Sequence, residues 1–246
     1  MKDNEQQFLD RIRTALNRDF APDAVALFAS RPHKELKALL ARADRDRDAR
    51  LKLLEQLQQT ATPLNLHVHV AEDALEAGRR IADLARISDT EWGGDKRILI
   101  HDDPLLHELD LPAVLTDDPI AVDVARFNSG EDELEGKQRL RAAAENAYIG
   151  VTGADWCAVD CAAVALLSGP GHGRAVSLVP SIHIAVVPLD RLVADLPEGY
   201  ALLENTPELP ASFTFISGPS KTADIEAQLV HGAHGPREMH LFVITG

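Results

Sequence analysis

Ser212-Phe-Thr-Phe-Ile216, Ser217-Gly-Pro-Ser-Lys-Thr222, residues 223–230, His231-Gly-Ala-His-Gly-Pro236 and residues 239–244 form the stretch on which the fold turns. The first piece alternates as a strand does, and the second has turn composition. Residues 223–230 place Ile225 and Leu229 one helical turn apart. The glycines and Pro236 end that helix, and residues 239–244 form the next strand. The expectation is a βαβ unit, with the 217–222 turn at a strand's carboxyl end and a helix's amino end. Free amide groups and the helix dipole favour anions there, with Lys221 adding charge and Ser220 and Thr222 adding hydroxyls. No glycine precedes Lys221, so this is not a Walker A loop. Simple capping by Ser220 or Thr222 explains the same residues, and both readings stay open.

Working outward, residues 148–152 and 182–187 read as strands, and so do 164–167 and 176–179. Ser168-Gly-Pro-Gly-His-Gly173 reads as a tight connection between strands. Upstream, 64–70 alternates as a strand, 73–87 and 131–147 follow a helical period, and 97–101 is a short buried strand. Strands alternating with helices imply an α/β fold with a mainly parallel sheet flanked by helices. The first sixty residues read as helix through Phe8, Leu9, Ile12 and Leu16, and again over 34–60. The division expected is a helical N-terminal extension, 1–62, and an α/β domain, 63–246. The alternating charges of 42–50 read as a solvated helix face, with a partner-docking surface as the sharper alternative.

Composition narrows function. Asp plus Glu number 39 against 25 Lys plus Arg, a net charge of −14. Nucleic acid and anionic membrane would repel such a chain. Two cysteines exclude a disulfide scaffold and a four-cysteine iron–sulfur site held by this chain alone. No apolar run reaches the roughly 18–20 residues that span a bilayer. The first residues are too polar for a secretory signal, so a cytoplasmic location is expected.

Among candidate ligands, Cys157 and Cys161 read best as small apolar residues. His67 and His69 share one side of a strand, half of a metal site without visible companions. His183 lies between apolar residues, and either a core or a site role fits it. His234 and Arg237 read as structural.

Several of these stretches carry a resemblance. Phe215-Ile-Ser-Gly-Pro-Ser-Lys-Thr-Ala-Asp-Ile-Glu226 and His231-Gly-Ala-His-Gly-Pro-Arg-Glu238 resemble the signature of the LUD-domain family, lactate utilization protein C type. Val151-Thr-Gly-Ala-Asp155, Gly173-Arg174, Ser177-Leu-Val-Pro180 and His183 match the same family. The resemblance covers roughly residues 60–246. It implies a fold like ribose-5-phosphate isomerase, glucosamine-phosphate deaminase and the coenzyme A transferases. It also implies a role in oxidising L-lactate to pyruvate beside cysteine-rich and iron–sulfur partner proteins. This chain would then be the subunit without a cluster, with no cofactor of its own. Family members often show Ala-Glu-Thr-Gly-Thr where this chain has Val159-Asp-Cys-Ala-Ala163, so a carboxylate persists only as Asp160.

The ligand pocket expected combines Thr152, Gly153, Asp155 and Asp160 with Gly218, Ser220, Lys221, Thr222 and Asp224. Two other readings stand beside the lactate one. The first is an enzyme or binder acting on a sugar phosphate or coenzyme A ester, and the second is an assembly protein whose site has decayed.

Overall fold

A computed structural model of the chain describes residues 11, 14, 15, 31–90, 93–207, 210–223, 229–232 and 234–246. The chain divides into two compact units, Met1–Ala38 and Leu39–Gly246. In the first, the described residues include an exposed Arg31–Glu35 ion pair at 3.0 Å.

The second unit is built on six parallel strands. They are β1 (Leu66–Ala71), β2 (Lys96–His101), β3 (Ile120–Ala125), β4 (Ile149–Gly153), β7 (Ile182–Pro188) and β12 (Glu238–Ile244), in the order β1-β12-β7-β4-β2-β3. The connections from β1 to β2 to β3 move one way across this sheet, and those from β4 to β7 to β12 move the other. The switch point therefore lies between β2 and β4. A second sheet, β8-β5-β6-β9, joins β5 (Trp156–Ala158), β6 (Ala163–Ser168), β8 (Leu192–Val193) and β9 (Ser212–Ile216).

Each face of the parallel sheet is buried. One carries Ile98, Ile100, Ile149, Val151, Ile184, Val186 and Phe242. Helix α3 (Ala74–Ile87) covers it with Ala77, Ile81 and Ala85, and the short α4 (Pro104–His107) and α5 (Leu111–Val114) add Leu106 and Leu111. The opposite face carries Ala185, Val187, Met239, Leu241 and Val243. There it meets α2 (Arg47–Ala61), through Leu53, Leu54 and Leu57, and the inner residues Cys157, Val159 and Val164 of the second sheet region. Helices α6 (Glu133–Asn146) and α7 (Ala175–Leu178) cover the remainder, packing Ala144 and Val176 on Leu99 and Ala125. Gly150 permits this closeness, because a Cβ there would lie 1.8 Å from the Val176 carbonyl oxygen.

Helix starts follow side-chain chemistry. Asp73, Asp46 and Asp132 each accept from an amide two or three residues on, capping α3, α2 and α6. Asp195 does the same for α8 (Leu196–Glu204), at 3.0 Å from the Glu198 amide. Helix α1 (His33–Ala43) ends before Asp46 starts α2.

Three expectations are corrected. The 212–244 stretch is not a βαβ unit, since β9 pairs antiparallel with β6 in the second sheet. Of the expected 223–230 helix, residues 224–228 lie outside the described residues, and at its ends β10 (Lys221–Ala223) and β11 (Leu229–His231) form an antiparallel pair, with Thr222 opposite Val230. Both are β-branched and favour that pairing. Residues 176–179 are not a strand, because α7 occupies 175–178. The charged 42–50 segment is largely exposed, as expected, but two of its arginines are engaged. Arg42 and Arg45 bond the fully buried Glu198 at 2.5 and 2.6 Å, and Arg42 also reaches Asp195.

Candidate functional site

The 217–222 turn stands at the amino edge of the parallel sheet. Its Ser220 amide donates to the Pro236 carbonyl at 2.8 Å, just ahead of β12. Lys221 donates its Nζ to the Leu64 carbonyl at 2.8 Å, just ahead of β1. Gly218 has φ +85°, and a Cβ on it would lie 2.6 Å from the same Leu64 oxygen. Both the backbone conformation and the approach to Leu64 therefore require glycine. Since strand β10 begins at Lys221, the turn does not start a helix and the expected dipole site does not form there.

A cavity of about 290 Å³ opens beside this turn. One wall is Ser217, Gly218 and Ser220, and another is His234, Gly235 and Pro236. Thr214, Phe215 and Ile216 of β9, Ser177 and Leu178 of α7, His183 of β7 and Met239 of β12 close the remainder. Three stretches that carry the family resemblance thus converge on one cavity. Its lining contains hydroxyls and two imidazoles but no carboxylate, lysine or arginine among the described residues. In a chain of net charge −14 that exclusion of carboxylates suits an anionic or strongly polar guest.

His183 is the deepest polar group of this lining. It is fully buried, and its Nε2 shares a 2.9 Å hydrogen bond with the Thr152 hydroxyl. Its Nδ1 has no partner. Burial, and then the nearby His101 and His240, push its pKa down to about 3. The ring is neutral at ordinary pH and has one nitrogen left over for a hydrogen bond. Two of the hydroxyls are already oriented. Ser177 donates to the Arg174 carbonyl at 3.0 Å and Ser217 to the Cys161 carbonyl at 2.6 Å, so both leave lone pairs free.

Of the expected pocket residues, the structure places Gly218 and Ser220 on the cavity and Thr152 directly behind it. Lys221 is exposed and turned to Leu64. Thr222 pairs with Val230 in the hairpin, and Asp224 lies outside the described residues. Asp160 is exposed, its amide bonded to the Ala194 carbonyl at 3.0 Å. Its neighbour Cys161 receives Ser217, so Asp160 lies one residue from the turn's anchor. Gly153 and Asp155 sit at the opposite, carboxyl edge. Gly153 approaches Asp103, and the Asp155 carboxylate accepts from the Leu167 amide at 2.7 Å. Burial raises the Asp155 pKa. The expected facing of these two against the 217–222 turn is therefore absent. His234, read as structural, lies on the cavity instead. Its placement at the amino end of β12 was legible, but the cavity's being on that edge was not.

The other candidates resolve simply. Cys157 is buried, and burial pushes its thiol pKa up. Burial also pushes the half-buried Cys161 up to about 11, with Asp160 adding to the shift. His67 and His69 gain a companion, His240, whose Nδ1 lies 3.0 Å from His69 Nε2. No group of three metal-ligating side chains is poised around an ion site among the described residues. No described helix is long and apolar enough to cross a membrane.

A parallel α/β domain with three of its motif stretches gathered at one edge is the class these observations define. The sequence profile of the LUD domain matches residues 54–244, and the chain belongs to that family. It is similar to the lactate utilization protein C of Shouchella clausii (strain KSM-K16), 30% identical over 98% of this chain and 97% of that one. It is 28% identical to the lactate utilization protein C of Bacillus subtilis (strain 168), over 95% of this chain and 92% of that one. A shorter match, 45% identical, spans 43% of this chain and 47% of the protein of the same name from Halalkalibacterium halodurans. Among solved structures it is similar to a DUF162 family protein from Deinococcus radiodurans, with a TM-score of 0.47 and 17% identity over 79% of this chain and 98% of that one.

Proposed function

We propose that this chain is a subunit of a system that oxidises L-lactate to pyruvate, and that its amino-edge cavity holds a small monocarboxylate. The observation that carries the lactate reading is the likeness to a lactate utilization protein C over nearly the whole of both chains. The cavity supports the ligand class. Its volume of about 290 Å³ suits a small acid and is too little to enclose a coenzyme A ester. The lack of lysine or arginine among the described lining residues disfavours a dianionic sugar phosphate, which is usually bound by such cations. Hydroxyls, turn amides and the neutral His183 match a hydroxyl-bearing carboxylate. Electron transfer would take place on cysteine-rich and iron–sulfur partner proteins, since this chain has two cysteines, one of them buried in the core.

The test compares growth with and without this chain in a strain that lacks any other lactate dehydrogenase. A defect on L-lactate that is absent on glucose is the expected result. Normal growth on both would contradict the lactate role. Affinity purification of the full chain from lactate-grown cells should also recover cysteine-rich partners. Recovery of the chain alone would overturn the subunit reading.

A further inference from the structure

A second cavity lies near the carboxyl ends of β2 and β3. It measures about 540 Å³, within the range of small-molecule sites. Leu99 and Ala125 form its floor, and Leu140 and Ala144 of α6 form one wall. The 169–173 loop and Val176 form the other. Lys137 and Arg141, one helical turn apart on α6, face this apolar space, with Glu145 the single carboxylate of the lining.

The cleft is preformed. His101, buried in the sheet, holds the loop by Nε2 on the Gly173 carbonyl at 3.1 Å. The Asp102 amide holds it again at the Gly171 carbonyl, also at 3.1 Å. Gly169 and Gly173 then keep the mouth wide. A Cβ on either would meet nothing within 4 Å, and neither has the left-handed φ of Gly171. Packing and backbone conformation therefore do not require glycine at these two positions. Bare backbone there leaves space instead.

We propose that this cleft binds a medium-chain aliphatic carboxylate, with the chain along the apolar floor and the carboxylate at Lys137 and Arg141. Lys137 already pairs with Glu133 at 2.5 Å and Arg141 with Glu145 at 2.9 Å. Both pairs are exposed and lie within one helix turn, where such pairs are weak. The ammonium and guanidinium keep further donors for a ligand. This inference is independent of the lactate reading, and a failed growth test leaves it in place.

The test is isothermal titration of the full-length protein with butanoate, hexanoate, octanoate and decanoate, with octylammonium as the charge-reversed probe. Burial of each added methylene should tighten binding roughly threefold to fourfold until the cleft is full. Octylammonium should bind at least about tenfold more weakly than octanoate. Gly173→Val should abolish binding by filling the mouth, and Gly169→Val serves if that variant fails to fold. Lys137→Gln with Arg141→Gln should weaken octanoate and leave octanol unchanged. Chain-length independence, equal binding of octylammonium, or full binding by folded valine variants would each overturn the proposal.

Discussion

Thr152 and His183 form the polar contact that the parallel sheet itself buries deepest at the cavity. Thr152→Val would leave His183 Nε2 without a partner as well as Nδ1. A loss of about 1–3 kcal/mol in urea unfolding is expected, the usual cost of an unsatisfied buried group. Gly218→Ala should cost about 1–3 kcal/mol, because φ +85° and the Leu64 oxygen both oppose a methyl group. An unchanged urea midpoint in either variant would contradict the contacts described. Four histidines also set a pH response. Burial first, then Arg80 and His67, push His69 down to about 4, and burial outweighs the Gly173 hydrogen bond to push His101 down to about 4. Burial first, then neighbouring histidines, push His183 and His240 down to about 3. The unfolded chain keeps its histidines near 6.5 and so binds more protons as pH falls below that value. Stability should fall from about pH 6.5 towards 4 and level off near 3. His69→Gln should flatten that slope between pH 7 and 5, and an unaltered slope would show that His69 is not held neutral. The identities of these residues were legible in the sequence. Their meeting was not, because His183 finds Thr152 only through the pairing of β4 with β7.

At the scale of elements, the clamp from the α1–α2 junction to α8 decides how the helices are tied to the second sheet. Glu198 receives Arg42, Arg45 and the Ala194 amide while fully buried. Glu198→Ala should cost about 2 kcal/mol, in line with lost charge-assisted hydrogen bonds, and should loosen proteolytic protection around residues 42–46. A loss under about 0.5 kcal/mol would mark the clamp as ornamental to stability. Charge alternation alone could not reveal it, since Arg42 and Glu198 are 156 positions apart. Helices α3 and α6 and strands β2, β4 and β7 were readable from periodicity. The β10–β11 pair was not. Two apolar residues at i and i+4 satisfy a helix, but Thr222 and Val230 satisfy a strand pair equally well in so short a stretch.

Over the whole of residues 39–246, the sheet presents two different edges. The amino edge gathers the motif residues Ser177, His183, Gly218, Ser220 and His234, and the carboxyl edge gathers Asp103, Gly153, Asp155 and His172. The α/β class and the parallel sheet followed from alternating strands and helices. Which edge holds the site did not, because that depends on β9 leaving the parallel sheet for the second one. The central claim is that the amino-edge cavity serves lactate oxidation. It is tested most directly by complementing the deletion strain with Ser220→Leu, a change that fills the cavity at a half-buried position. The purified variant should unfold within about 1 kcal/mol of the parent, as expected for a partly exposed site. The account expects glucose growth to be normal and L-lactate growth to be lost with this folded variant. Full growth on L-lactate with the cavity filled would contradict it.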